Sequence, residues 1–411
     1  MRFSKCAILL KILLILLAFS AWNGSSASQQ SESTVRVKFV FAGHKDRVDA
    51  IAFKPNSQVM VCGSQFEKAK LWDLQTNQLI ATLDGRVDGF FRDTIFSNDG
   101  KRVAIRGAKN SVYLYDTVTG QISATLIGHK DDITSVMFSA DDQLLLTGSF
   151  DNTARLWSVA DGKQKFVLSE HKRQGSFSAR FSPDGQVIST ACGDKAAKLW
   201  NAKTGQLIAT LSGHTEGVFD ALFSADSRTV ATAGLDGLVM LWNAKTGAPE
   251  TTLQAHKSTV YVMVFSPNGR WLATASRDGT AGLWNIEKQE LQDYVRGFDG
   301  IVTRVAFSTD SRWLAASGGY KRYEVGLMEV KGGEVSDMLK GHKKQIEMIA
   351  FSPDGRYLVS ADNKAVKLWN PKTGKLVADL ASARHPAAFS LDGKTLATAG
   401  KDDTVILWDL P

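Results

Sequence analysis

The sequence predicts an all-β chain folded into a single closed ring of small, four-stranded antiparallel sheets, and three observations predict it. A large apolar residue followed by a polar one recurs at Trp72-Asp73, Tyr115-Asp116, Trp157-Ser158, Trp200-Asn201, Trp242-Asn243, Trp284-Asn285, Met328-Glu329, Trp369-Asn370 and Trp408-Asp409, at intervals of 39 to 44 residues. Nineteen residues before most of these stands a phenylalanine: Phe53, Phe96, Phe138, Phe181, Phe223, Phe265 and Phe389, while Phe307 and Phe351 precede theirs by 21 and 18. Between the two markers, apolar and polar residues alternate in short runs broken by Ser-Pro-Asp-Gly-like turns, as at Ser182–Gly185 and Ser352–Gly355, which is the pattern of half-buried strands.

The segment Gly128–Trp157 shows one unit in full. It alternates through Ile133, Val136 and Phe138, turns at Ala140-Asp141-Asp142, runs through Leu144–Leu146, and turns again at Asp151-Asn152 before Ala154, Leu156 and Trp157. Three strands of this length cannot bury both faces, so each unit needs neighbours. A fourth, outer strand is predicted at Val35–Phe41, Leu79–Leu83, Ile122–Leu126, Phe166–Leu168, Leu207–Leu211, Glu250–Leu253, Leu291–Val295, Val335–Leu339 and Leu376–Leu380. A period near 42 residues with four strands per unit is the signature of a β-propeller. The first outer strand precedes the first three-stranded unit, so Val35–Phe41 is expected to complete the sheet that ends at Trp408, leaving no open edge. Nine blades are expected. An eight- or seven-bladed ring is the alternative if repeats 2 and 7 form something else, but both keep the spacing and the phenylalanine.

Gly-His, an Asp turn and a terminal Trp-Asp recurring together resemble the WD-repeat family over Val35–Pro411. The resemblance implies that four positions per blade form a hydrogen-bonded network. Those positions are His129, Thr147, Asp151 and Trp157 in repeat 3; His171, Thr190, Asp194 and Trp200 in repeat 4; His214, Thr232, Asp236 and Trp242 in repeat 5; and His256, Thr274, Asp278 and Trp284 in repeat 6. Repeat 1 keeps His44 and Trp72, with Cys62 in the hydroxyl place and Phe66 in the acid place. Repeat 8 has His342, Ser360 and Trp369, with Asn363 for the acid. Repeat 9 has Thr398, Asp402 and Trp408, but His385 falls on a strand, outside the network. Repeat 2 (Ile105, Lys109, Tyr115) and repeat 7 (Phe298, Ala316, Met328) lack the set, and their blades are expected to be the least rigid.

An Asp, His and hydroxyl together look like a nucleophilic triad. Four copies on consecutive repeats instead describe one structural problem solved repeatedly, the pairing of buried polar groups. There is no Gly-x-Ser-x-Gly turn, Gly-rich phosphate loop or Cys-x-x-Cys, and the histidines are too far apart in sequence to share a metal. No catalytic residue, cofactor or metal is expected.

Composition sets further bounds. The chain has 411 residues, 44% apolar and 22% charged, an ordinary globular composition. The net charge is +7. Arg2, Lys5 and Lys11 precede the first acid, Glu32, so the rest carries +4, too weak a balance to argue for nucleic acid. Residues 1–27 read as a signal peptide: Arg2 and Lys5, an apolar core Ile12–Phe19 too short to span a bilayer, and small residues at Ser25-Ser26-Ala27. Residues 28–34 form a linker and 35–411 the propeller. The expected location is periplasmic or secreted, with membrane attachment only through an uncleaved leader. Beyond Cys6, Cys62 and Cys192 fall on different repeats and are expected as free thiols.

Function is expected on the loops. The resemblance implies docking on the face that bears the turns between second and third strands and the approaches to the innermost strands. The approach residues, five after each His, include Asp49, Thr134, Phe219, Tyr261 and Glu347; the turn residues include Phe150, Leu235 and Arg277. Phe150, Phe219, Leu235, Tyr261 and Arg277 form the candidate partner site, since aromatic and Arg side chains dominate interface hot spots. Gly318–Tyr323, two residues longer than its equivalents, is a second candidate loop or a bulged hairpin. Lys340, Lys343 and Lys344 read as a solvated face. The expected function is a monomeric, non-catalytic scaffold for proteins or peptides. The alternatives are a hydrolase working in the central channel and an envelope structural protein binding a polymer or lipid surface.

Overall fold

The computed structural model describes residues 34–64, 67–83, 94–172, 178–332 and 335–411. Residues 1–27, read from the sequence as a signal peptide, most of the expected linker and Phe66 lie outside the described residues. Residues Val35–Leu410 form one compact unit.

The turns explain why the alternating runs become strands of fixed length. Between first and second strands, the Ser182 hydroxyl donates to Asp184 at 2.5 Å and accepts from the Val187 amide at 3.0 Å, while Gly185 takes a left-handed conformation at φ 70°. The same serine clasp recurs at Ser139, Ser224, Ser266, Ser308, Ser352 and Ser390. Between third and fourth strands, the polar residue after the tryptophan takes over. Asn201 Oδ1 accepts the amides of Lys203 and Thr204 at 3.0 and 2.9 Å, and Asp73, Asn243 and Asn370 do likewise. The terminal Trp-Asp or Trp-Asn is therefore a core anchor followed by a turn cap.

Among the described residues there are nine four-stranded antiparallel sheets, each ordered from inner to outer strand. They are blades 1 (48–83), 2 (94–127), 3 (133–168), 4 (178–212), 5 (218–253), 6 (260–295), 7 (302–342), 8 (346–380) and 9 (383–409, with 36–41). Repeats 2 and 7 each build a full sheet, so the ring has nine blades. The N-terminal strand Arg36–Phe41 pairs with Val405–Asp409, aligning Val37 with Trp408 and Phe41 with Val405.

The core lies between blades. Leu146, Leu156 and Leu168 of blade 3 pack on Ala179, Phe181, Ile188 and Trp200 of blade 4. At the seam, Phe41, Ala397 and Leu407 of blade 9 pack on Val48, Met60 and Trp72 of blade 1. Each blade buries one face against each neighbour, so a three-stranded unit with two apolar faces is soluble only within the ring.

The innermost strands carry a shared irregularity. The register slips between Val48 and Ala50, Ile133 and Ser135, Val218 and Asp220, Val260 and Val262, Val302 and Arg304, and Ile346 and Met348. The extra residues are Asp49, Thr134, Phe219, Tyr261, Thr303 and Glu347. A bulge frees its residue from the ladder and re-aims its side chain. The approach positions singled out in the sequence are thus the bulge positions.

Candidate functional site

The polar network forms in full in five blades. In blade 3, His129 Nδ1 donates to Asp151 at 2.9 Å, the Thr147 hydroxyl meets Nε2 at 2.7 Å, and Trp157 Nε1 donates to Thr147 Oγ1 at 2.9 Å. Asp151 also accepts the Lys130 amide at 2.9 Å, which ties the turn to the approach loop. Blade 4 places His171 3.0 Å from Asp194 and 2.8 Å from Thr190, with Trp200 on Thr190 at 2.9 Å. Blade 5 sets His214 against Asp236 and Thr232, with Trp242 on Thr232 at 2.8 Å. Blade 6 repeats the set with His256, Asp278, Thr274 and Trp284.

Blade 8 completes the network differently from the sequence expectation. Its acid is Asp362, 2.8 Å from His342 Nδ1, not Asn363. The second-to-third-strand turn is one residue shorter there, and counting six back from Trp369 stops one residue short of the acid. Ser360 supplies the hydroxyl, 2.7 Å from His342 and 2.8 Å from Trp369 Nε1. Blade 1 holds a variant. Cys62 Sγ lies 3.1 Å from His44 Nε2 and accepts from Trp72 Nε1 at 3.3 Å. Glu67 serves as the acid: it accepts the Lys45 amide at 2.9 Å and sits 3.4 Å from His44 Nδ1.

These sets are clamps by chemistry as well as by number. Burial lowers the pKa of His129, His171, His256 and His342 and outweighs the carboxylate beside each; His44 is pushed down to about 4. Burial opposes charge on Asp151, but bonds from Thr153, Lys130 and His129 more than offset it and hold the carboxyl below its usual range. In each set both histidine nitrogens are engaged, and the ring faces a hydroxyl with no exposed surface: Thr147, Thr190, Thr232, Thr274 and Ser360 are all fully buried. No substrate reaches such a hydroxyl.

Blade 9 keeps the Trp408–Thr398 bond at 2.9 Å. His385 lies on the strand Ala383–Phe389, and Arg384 reaches the Gly400 carbonyl and Asp403 instead. Blade 7 replaces the network with apolar packing of Phe298, Ala316 and Met328. Its loops are tied with reversed polarity. Asp299, on the approach loop, accepts the amides of Tyr320, Lys321 and Arg322 at 2.9, 3.1 and 3.0 Å. The longer Gly318–Tyr323 loop is therefore wrapped round a carboxylate.

Cys62 and Cys192 are free, buried thiols on blades 1 and 4. Burial pushes Cys62 up to about 12, so it is inert as a nucleophile. Among the described residues, one trio could offer three metal ligands: His171, Cys192 and Asp194, whose donor atoms lie within 4.8 Å of one another. His171 already spends both nitrogens on Asp194 and Thr190, so a metal there would compete with the clamp.

Of the candidate partner residues, the structure brings Phe219 and Tyr261 together as adjacent bulges, ring centroids 5.8 Å apart. Leu235 is 46% exposed, with its Cδ1 beside Gly217. Arg277 is exposed, its amide bonded to the Thr259 carbonyl at 2.9 Å. Phe150 is 40% exposed but stands on blade 3, two blades from Leu235. Tyr261 also lines an open cavity of about 570 Å³ on the channel wall, with Leu222, Val262, Val264 and Phe265. Its charged members are already paired: Arg180 donates to Asp220 through Nε at 3.0 Å and Nη2 at 2.9 Å. Among the described residues, Asp49 is the one carboxylate pushed up, by burial, with Arg47 and Arg384 pulling it back.

The family described as WD domain, G-beta repeat matches residues 35–73, 120–158, 162–201, 205–243, 247–285, 289–322, 333–370 and 377–409; repeat 2 falls outside the matches. The chain is similar to autophagy-related protein 16 of Arabidopsis thaliana, 28% identical over 120 residues, covering 29% of this chain and 23% of that protein. It is similar to the guanine nucleotide-binding protein subunit beta of Oryza sativa subsp. japonica, 29% identical over 159 residues, covering 37% of this chain and 42% of the relative. The chain thus spans less than half the length of these curated relatives. Among solved structures, the computationally designed Ika8 protein superposes with a TM-score of 0.61 at 22% identity, over 90% of this chain and 98% of that one, a likeness of fold. With the repeat matched along most of its length and the clamp formed in blade after blade, the chain belongs to the WD-repeat family of β-propeller proteins.

Proposed function

We propose that this protein is a non-catalytic, monomeric scaffold that docks other proteins on the face bearing the bulges and the second-to-third-strand turns. The observation that carries the reading is the bulge series. On six blades it frees a different side chain from the ladder, among them Asp49, Phe219, Tyr261 and Glu347, above a repeated scaffold. Fixed strands below and variable bulges above are what a specific docking surface needs. The buried, neutral clamps support a role without catalysis. We assign the protein to the periplasm or the extracellular space, on the charged start and short apolar core of residues 1–27. Mass determination of the exported protein is expected to give a chain that starts after Ala27.

The test is affinity capture with the purified protein beside a Phe219→Ala/Arg277→Ala variant. Loss of each hot-spot side chain is expected to cost about 1–3 kcal/mol, so specific partners should drop from the variant. Retention of every partner on the variant would remove this face as the docking site.

A further inference from the structure

We propose that the docking face of blades 6 to 8 receives an acidic protein segment, one apolar side chain of which lodges against Phe219 and Tyr261. The inference rests on the scaffold reading and names the chemistry of its partner.

On blades 6 and 7 the turn is bonded to the approach loop of its own blade, Arg277 to Thr259 and Gly319 to Ile301, and the blade 6 approach is bonded to the blade 5 turn, the His256 amide to the Gly237 carbonyl. Blade 6 places Lys257 and Arg277 there, blade 7 Lys321 and Arg322, and blade 8 Lys343 and Lys344, all exposed. Among the described residues, none of these six forms an ion pair within 4.0 Å. Of the acids in the same sector, Asp278 and Asp362 hold histidines, Asp299 holds three amides, Glu324 is buried and Glu347 is half-buried. Arg322 is close enough to Asp299 only to help keep its carboxyl low. Elsewhere on the described face acids are interspersed with the cations: Asp46 on blade 1, Asp131 and Asp132 on blade 3, and Glu170 next to Lys172 on blade 4, which also carries Lys195. The six cations named above fall on three consecutive blades, and such a patch steers and orients an anionic partner.

The aromatic pair selects among anions. Phe219 and Tyr261 are half-buried at the channel wall, where a flat bilayer cannot reach them. The cavity beside them is walled mainly by apolar side chains, and its guanidinium is already taken by Asp220. It suits a single apolar side chain. A nucleic acid would need a continuous basic track, and the acids of blades 1 and 3 interrupt one.

The experiment uses a fluorescein-labelled oligoglutamate peptide with one central tryptophan, followed by anisotropy against the full chain. Binding is expected to weaken with salt. It should fall on the order of tenfold or more in Lys321→Glu/Arg322→Glu/Lys343→Glu. The control Lys203→Glu/Lys245→Glu/Lys372→Glu makes the same charge change on the turns at the opposite end and is expected to leave affinity within about twofold. Thermal melts of both variants check folding. Removing the peptide's tryptophan and substituting Phe219→Ala should each weaken binding, and together by less than the product of the two effects. Equal losses in the two triple variants, or tighter binding of oligothymidylate or phosphatidylserine vesicles than of the peptide, would overturn the proposal. Failure of the peptide to bind, with the Phe219→Ala/Arg277→Ala variant still losing captured proteins, would remove the acidic partner and leave the scaffold.

Discussion

Replacing Thr147 with valine keeps the shape of the side chain and deletes one oxygen. That oxygen accepts the Trp157 indole N–H at 2.9 Å and meets His129 Nε2 at 2.7 Å, in a position with no exposed surface. The substitution leaves a buried donor and a buried acceptor unpaired. Each costs about 1–3 kcal/mol, so the expected loss is about 2–6 kcal/mol, or roughly 2 °C of melting temperature per kcal/mol for a chain of this size. The assay is denaturant unfolding of both proteins under one buffer, read as a change in midpoint at constant slope. The mirror experiment is Ala316→Thr in blade 7, where Phe298 and Met328 offer the new hydroxyl no partner. That variant is expected to lose about 1–3 kcal/mol. The same residue type should thus stabilise one blade and destabilise another. A Thr147→Val loss below about 0.5 kcal/mol, within the range of ordinary surface substitutions, would refute the clamp as a stabilising element.

Three further outcomes follow from the geometry. Cys62 pairs with Lys70 in the register in which Thr147 pairs with Arg155, so Cys62→Thr should restore a hydroxyl clamp and raise stability by about 1 kcal/mol in the same unfolding assay. His44, at about 4 in the folded state against 6.5 unfolded, binds its proton later than the unfolded chain does. Its contribution is complete above 6.5 and is lost as pH falls towards 4, about 3 kcal/mol in all. His129, His171, His256 and His342 move the same way, so midpoints measured at falling pH should drop from below about 6.5; a flat profile would contradict neutral, buried histidines. Phe41 is 2% exposed and stacks on Trp72 at 4.8 Å across the seam. Phe41→Ala is expected to cost about 3–5 kcal/mol, with amide exchange rising at 36–41 and 405–409 before it rises in blade 4.

The ring was legible because its markers are periodic and each answers a local need: phenylalanine and tryptophan for the inter-blade core, serine and glycine for one turn, Asp or Asn for the other. Departures that conserve count were read correctly, as in repeat 1, where Cys62 stands in the hydroxyl place between His44 and Trp72. Departures that change count were not. One residue fewer in the turn of repeat 8 moved the acid from Asn363 to Asp362. One residue of displacement let Glu67 act in repeat 1 outside the aligned acid position. The bulges left no mark, because an extra residue on an inner strand reads as ordinary alternation. Asp299 was missed for another reason: its partners are backbone amides, which have no side-chain signature.

The N-terminal strand gives the ring an asymmetry in time. Eight blades pair residues close in sequence and can assemble as the chain emerges. The ninth joins Arg36 to Asp409, nearly the whole chain away. Its outer strand, made before blade 1, waits until its inner strands, made after blade 8, have been added. Until they meet, blades 1 and 8 each present an uncovered apolar face, and the interval is set by chain closure rather than by any blade's own stability. A helper that shields nascent chains would therefore act mainly on one junction of the nine.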